Sequence, residues 1–187
     1  MMLLVAVLGV ILGGLSAWSA IERARGQGSL AIGPWSAVVY AGASDIDPYT
    51  VAKTVIDGSV PLGATEGLTF YADTDSAGRA LDLSCDYAIV GTTPQAKLWT
   101  MTAYRADATP VENAPGGRSS AWSGAVVRFP DGTFKIDLSA NVRPGNWMGV
   151  AGAGPFRLAL RLYDTPLISS SGVSAPDMPA IRKGNCR

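Results

Sequence analysis

The chain has 187 residues, 48% of them hydrophobic, with 15 basic and 15 acidic side chains, no histidine and two cysteines. Those counts exclude Ser-His-Asp and Cys-His catalytic sets, His-ligated metal sites and thiolate clusters. Zero net charge offers no electrostatic footprint for a polyanion, so nucleic acid is not an expected partner, and no cofactor is implied.

The charges are unevenly placed. Residues 1–21 (MMLLVAVLGVILGGLSAWSAI) carry none, so every charge lies in the 166 residues that follow. At a helical rise of ~1.5 Å per residue this block spans roughly 31 Å, about the thickness of a bilayer's hydrocarbon core. It reads as a transmembrane helix or signal anchor, with a cleaved secretory signal as the competing reading. The start lacks a basic side chain, Ala17-Trp18-Ser19 is a poor small-residue cleavage site, and Trp18 followed by Glu22, Arg23 and Arg25 has the character of an interfacial boundary. Gly9, Gly13 and Ala17 form a small-residue face suited to a helix–helix contact with a partner or a second copy. Glycine is also simply common in such helices.

Orientation is contested. Arg23 and Arg25 favour the cytoplasm for the end of the helix that carries them. Cys85 and Cys186 argue the other way. Paired, they close a loop of about a hundred residues, contributing on the order of 4 kcal/mol by chain entropy, and such a bridge persists in an oxidising compartment. Two unpaired cytosolic thiols are the plain alternative. A large domain after a single start-located helix is commonly translocated, so the exported side is expected.

Residues 22–33 read as a polar linker, 34–168 as one domain, and 169–187 as a Ser/Pro/Gly-rich tail packed on the domain surface. Trp35 to Ala41 is strand-like. Asp47 as N-cap with Pro48 at the first helical position, then Tyr49, Ala52, Val55 and Ile56 at helical spacing, predicts a helix from Pro48 to Asp57. Gly67 to Thr74 and Leu81 to Val90 flank Asp75-Ser76-Ala77-Gly78, and the pattern predicts a hairpin. Lys97 to Arg105 alternates, with Trp99, Met101 and Ala103 on one face and Leu98, Thr100, Thr102 and Tyr104 on the other. Ser119 to Phe129 and Thr133 to Ser139 flank Pro130-Asp131-Gly132, a second predicted hairpin. Phe156 to Tyr163 places Phe156, Leu158, Leu160 and Leu162 inward and Arg157 and Arg161 outward. At least seven strands and one or two short helices predict a mainly β domain, a jelly-roll-like antiparallel β-sandwich.

Pro144-Gly145-Asn146-Trp147-Met148, followed by Gly154-Pro155-Phe156-Arg157-Leu158-Ala159-Leu160-Arg161-Leu162-Tyr163, resembles the signature of the domain-of-unknown-function family 1214. There an Asn-Trp-Leu precedes a Gly-Pro-Phe and a Leu-Arg-Leu-Tyr strand. Tyr104, Asn113 and Asp131-Gly132 also fall where that family has a Tyr-ending strand, an Asn-containing loop and an Asp-Gly turn. The likeness covers roughly residues 60 to 166. Met148 stands in for the usual Leu, a volume-conserving change, and Arg118 to Val127 matches less well. Long family members carry a second domain, of the family 1254, for which this chain has no room. The short form with an N-terminal helix is similar to a bacterial, mainly alphaproteobacterial, subgroup with the two domains on separate chains. The resemblance implies a jelly-roll fold, export and a partner bearing the missing domain. It implies no reaction. The expected location is the bacterial inner membrane, single pass, with the C-terminal domain in the periplasm.

Several polar groups merit weighing as sites. Asp73-Thr74-Asp75-Ser76-Ala77-Gly78 opens like a calcium loop, but its position 12 is Ser84 and the bidentate glutamate is missing; aspartates capping a turn explain it better. Asp45 and Asp47 stand two apart, and N-capping accounts for Asp47. Asp82 and Asp86 flank Cys85 and resemble a glycosidase-like carboxylate pair, with a solvated strand face as the simpler account. Asn146 and Trp147, beside Arg105, form a speculative ligand platform in which Trp147 stacks on a sugar or other flat ligand; the simpler account has Asn146 bonding loop backbone and Trp147 closing the sandwich. Trp35, Trp99 and Trp122 are core or rim. Gly149 to Gly154 precedes a strand and reads as a flexible loop rather than a dinucleotide fingerprint.

Three readings of function follow. The first is a non-catalytic binding or assembly subunit, membrane-anchored and paired with another membrane protein. The second is an enzyme acting on a carbohydrate or lipid-like substrate through carboxylates, Tyr and Arg. The third is a solitary structural module.

Overall fold

A computed structural model of the chain describes residues 2–23, 29–38, 48–56, 62, 66–168 and 176–187. Helix α1 (Met2–Arg23) follows the apolar block. Its described side chains run from Val5 to Ala20 and are mostly exposed. Among the described residues no helix is long and apolar enough to cross a membrane. The predicted transmembrane helix is therefore not supported among the described residues. A side chain at Gly9 or Gly13 would meet nothing within 4 Å.

The rest is β-rich, apart from helix α2 (Pro48–Ile56) and a 3-10 turn at Pro166–Ile168. Asp45 and Asp47 lie outside the described residues. The strands are β1 (Ser29–Ile32), β2 (Trp35–Val38), β3 (Gly67–Ala72), β4 (Cys85–Gly91), β5 (Leu98–Arg105), β6 (Ser120–Trp122), β7 (Phe134–Ser139), β8 (Asn146–Gly149), β9 (Phe156–Tyr163) and β10 (Ala180–Cys186). They form two sheets, of order β1-β2-β3-β9-β5-β6 and β10-β4-β7-β8.

The apolar alternation fixes which face of each strand is buried. Trp99, Met101 and Ala103 of β5 and Phe156, Leu158, Leu160 and Leu162 of β9 point into the core, with Ala159 buried as well. Opposite them, Tyr87 and Ile89 of β4 and Phe134, Ile136 and Leu138 of β7 line the second sheet's inner face. The layers meet in ring contacts: Trp99 with Phe134 at 5.4 Å, and Tyr87 edge-on to Phe156 at 5.7 Å. Trp35 is fully buried, its indole Nε1 donating to the Pro179 carbonyl at 2.7 Å, whereas Trp122 is 48% exposed at the rim.

Four expectations are corrected. Neither predicted hairpin pairs its flanking strands. β3 pairs with β2 and β9 while β4 pairs with β7 and β10. The Asp75 turn is a local reversal, closed by the Thr74–Ala80 bridge, that carries the chain from one sheet to the other. The Pro130-Asp131-Gly132 turn likewise joins β6 in one sheet to β7 in the other, although Phe129 N–H still bonds the Thr133 carbonyl across it at 2.8 Å. Turn chemistry dictates a reversal, but not which neighbour the flanks bond. Part of the expected linker is strand: β1 pairs with β2 through a turn at Gly33, whose φ is +56°. Finally the sandwich is not wholly antiparallel, because β7 and β8 run parallel. The jelly-roll expectation holds at the level of two packed sheets.

The tail does more than cover the surface. β10 pairs antiparallel with β4, and its Ile181 is buried. The Cys85–Cys186 disulfide, with a separation of 101 residues, closes the same strand pair. Ser76 of the Asp75 turn grips it too: its backbone N–H bonds the Ile181 carbonyl at 2.9 Å, and its hydroxyl accepts the Ile181 N–H at 2.8 Å. Arg187 adds a backbone bond to the Ser84 carbonyl at 2.8 Å.

Candidate functional site

The outer face of the four-stranded sheet holds a groove of about 570 Å³, within the range of small-molecule clefts. Alternation builds its floor. Asp86 and Ala88 stand between buried residues of β4, and Lys135 and Asp137 do the same on β7. Arg182 comes from β10. The segments Val127–Phe129 and Arg143–Asn146 form the walls.

The walls are fixed largely by one residue. Asn146 Oδ1 accepts the Val127 N–H at 2.8 Å, while its Nδ2 donates to the carbonyls of Val127 at 2.8 Å and Lys135 at 2.9 Å. Both lining carboxylates are engaged: Asp86 with Arg143 at 2.8 Å, and Asp137 with Lys135 at 2.9 Å. Arg128 donates to the Gly132 carbonyl at 2.9 Å and lies 5.4 Å from the Phe134 ring centroid.

The residues singled out in the sequence are dispersed. Asn146 lines the groove, but its amide is committed to backbone. Trp147, next to it, donates from Nε1 to the Ser139 carbonyl at 3.0 Å. Its ring lies over the close approach of Gly117 and Gly149, where a Cβ on either glycine would come within 2.6–2.7 Å of the other's Cα. Arg105 is at the end of β5 in the other sheet, with its guanidinium near Gly152; no hydrogen bond or ion pair joins it to Asn146 or Trp147 among the described residues.

The aspartates divide by task. Asp73 makes a two-pronged contact with Arg157, at 2.7 and 3.0 Å. Asp75, 1% exposed, accepts the N–H groups of Ala77 and Arg79 at 2.9 Å and pairs with the Arg79 guanidinium at 2.7 Å. Burial pushes its carboxyl up, but the Arg79 side chain and the two N–H groups together hold it below the ordinary carboxylate value. Asp82 is also held low, first by the Ser84 hydroxyl at 2.6 Å and then by the Ser84 N–H. Burial raises the Tyr87 phenol, whose oxygen accepts the Asp82 N–H at 2.9 Å. Asp82 and Asp86 are thus separately employed. Tyr104 receives Arg161 Nη1 at 3.0 Å on its hydroxyl, Asn113 Oδ1 accepts the Ser119 N–H, and Asp131 caps Thr133. These polar positions all serve local architecture.

Sequence reading missed the groove. Lys135 and Asp137 alternate with apolar neighbours and are recognisably outward-facing. Their meeting with Arg182 and Arg143 depends on strand pairing that no local pattern encodes.

The comparisons with other proteins agree with the framework. The family model described as "Protein of unknown function (DUF1214)" matches residues 66–167. The chain belongs to the DUF1214 family. Among curated proteins, none matches it. Two solved structures are similar. The VPA0106 protein from Vibrio parahaemolyticus shares 26% identity at a TM-score of 0.59, over 75% of this chain and 36% of that one. An uncharacterised protein from Burkholderia cenocepacia shares 18% at a TM-score of 0.47, over 68% of this chain and 32% of that one. This DUF1214 chain therefore spans about a third of the length of each. The match covers β3 to β9, so β10 and its share of the groove lie beyond the part this chain has in common with the family model.

Proposed function

We propose that this DUF1214 protein is a non-catalytic binding or assembly subunit of a bacterial envelope. In this reading the N-terminal apolar segment anchors it in the inner membrane, the sandwich stands on the periplasmic side, and it pairs with another membrane protein. The observation that carries the reading is the state of the groove's carboxylates. Asp86 and Asp137 each sit in an ion pair with a neighbouring cation. General acid–base work needs a carboxyl in reach of substrate with its proton affinity tuned upward. This groove is organised to hold a ligand or partner rather than to move a proton. The Cys85–Cys186 bridge supports an oxidising compartment. The run of 21 uncharged residues at the start supports the anchor.

The test is affinity purification of the full chain from its native host in a mild detergent, with the mass of the purified chain determined. Recovery of one stoichiometric membrane protein, with a mass beginning at Met1, is expected. A clean monomer with nothing co-purifying, or a mass lacking the apolar segment, overturns the assembly or the anchor part respectively.

A further inference from the structure

Whole-chain neutrality conceals a local imbalance. The groove over β10, β4 and β7 is lined by Arg128, Lys135, Arg143 and Arg182 with the carboxylates of Asp86 and Asp137, an excess of two positive charges in a chain whose total is zero. Each carboxylate offsets one positive charge and also orients the cation it pairs with. Asp86 holds the Arg143 guanidinium and Asp137 holds the Lys135 ammonium. Arg128 is positioned by the Gly132 carbonyl and the Phe134 ring. Three of the four cations are therefore placed in advance, which lowers the ordering cost of binding. Arg182 is exposed and has no carboxylate partner among the described residues. Lys183, next in β10 and paired with inward-facing Tyr87, turns to the opposite face, where its charge reaches Asp82.

We propose that this groove binds a phosphate-bearing organic ligand. The inference rests on the reading above that the groove is a holding site, and it names the ligand class. Three of the cations are arginines, whose planar forks match the oxygen geometry of phosphate and carboxylate alike. The charge excess selects between those two anions. A phosphate monoester brings close to two negative charges on one centre near neutral pH, and a carboxylate brings one. The rim adds a second preference. Val127 is 72% exposed and Phe129 is 55% exposed, both on the wall that Asn146 braces. A ligand with a hydrocarbon or sugar body beside its phosphate covers that surface, as inorganic phosphate does not. A lipid headgroup and a soluble sugar phosphate share this chemistry.

The experiment is calorimetric titration of the full chain in a non-ionic detergent with two probes: glucose 6-phosphate, and dihexanoyl phosphatidate below its micelle concentration. Glucose and dihexanoyl phosphatidylcholine serve as controls of lower net charge. Saturable binding of at least one phosphate probe is expected, weakening as salt is raised to physiological strength. Preference for the sugar phosphate identifies a soluble ligand, and preference for the phosphatidate a lipid headgroup. The Arg128→Gln/Arg182→Gln double variant is expected to lose about tenfold or more in affinity. Lys97→Gln, on an exposed side chain remote from the groove lining, is expected to behave as wild type. No saturable binding of either phosphate, or equal affinity in wild type and double variant, overturns the proposal. Failure here leaves the membrane-partner purification free to succeed, so the ligand class and the assembly reading fall separately.

Discussion

The two sheets of the sandwich are held together in different ways. In the six-stranded sheet, β9 lies between β3 and β5 over long, regular registers, and its Leu158, Leu160 and Leu162 are fully buried. Its stability is that of apolar side chains removed from water. The four-stranded sheet is assembled from distant pieces. β10 arrives from the C-terminus and is fastened by a disulfide, by the Ser76 contacts and by Arg187, while β8 joins in parallel. Packing secures the first sheet; covalent and polar fastenings secure the edge of the second. The charged groove lies on the outer face of the sheet whose edge is fastened in this way. Its residues are free to be polar because they point away from the core that Tyr87, Ile89, Ile136 and Leu138 fill.

The largest way to break this contrast is to remove the fastening. Replacing both cysteines, Cys85→Ser with Cys186→Ser, is expected to cost about 5 kcal/mol from the chain-entropy relation for a loop of this size. Urea unfolding measures the loss. Native-state hydrogen exchange locates it: β10 and β4 should lose protection well before β9. Uniform loss across both sheets would contradict the division. Next in size is Leu160→Ala in β9, at about 3 kcal/mol for a buried leucine with its cavity. It should lower the unfolding midpoint without selectively loosening β10, the reverse of the cysteine variants.

The same contrast governs what could be read from the sequence. β5 and β9 were legible residue by residue, because strict alternation of Trp99, Met101 and Ala103, or of Phe156, Leu158, Leu160 and Leu162, has one physical solution when one face is buried. α2 is legible from its proline start and apolar spacing, and is described over Pro48–Ile56. β10 was not. In AIRKGNC only Ile181 is buried, so the alternation is too short to register, and the strand owes its place to Cys186 and Ser76. Both turns are legible as turns but the partners of their flanks are not, because Gly78 and Gly132 specify a reversal and not a sheet. The speculative site was legible only in part. Asn146 does lie on the groove, through its backbone contacts rather than as a free amide, and Arg105 belongs to the other layer.

A smaller perturbation separates groove shape from sheet integrity. Asn146→Ala removes the three hydrogen bonds that hold the Val127–Phe129 wall. At about 0.5–1 kcal/mol net for each partly exposed bond, the loss should be about 2 kcal/mol. Exchange at the Val127 amide should rise sharply while the Ile181 amide, held by Ser76, stays protected. Equal loosening of both amides would mean that the wall and the strand form one cooperative unit. Asn146→Asp keeps the acceptor but removes both donors and adds negative charge to a cationic groove, so it should weaken phosphate binding more than Asn146→Ala does.

The smallest expected effect lies in acid, at the turn that links the two sheets. Asp75 is nearly inaccessible. Burial alone would raise its proton affinity, yet the Arg79 side chain and the N–H groups of Arg79 and Ala77 hold its carboxyl below the ordinary value. The sign follows from linkage. A carboxyl depressed in the folded state binds protons more weakly there than in the unfolded chain. The stability it contributes is therefore complete above the unfolded value of about 4, and is lost as pH falls through the folded one. Ser76, next in the chain, carries two of the bonds that fasten β10. Protonating Asp75 loosens the turn, and the loosening should appear first at the Ile181 amide. Thermal melts and exchange from neutral pH down to pH of about 3 check this against Asp75→Asn. The variant should start less stable at neutral pH and then lose less than wild type on acidification. Parallel acid slopes for the two proteins would show that Asp75 does not link protonation to the fastening of β10.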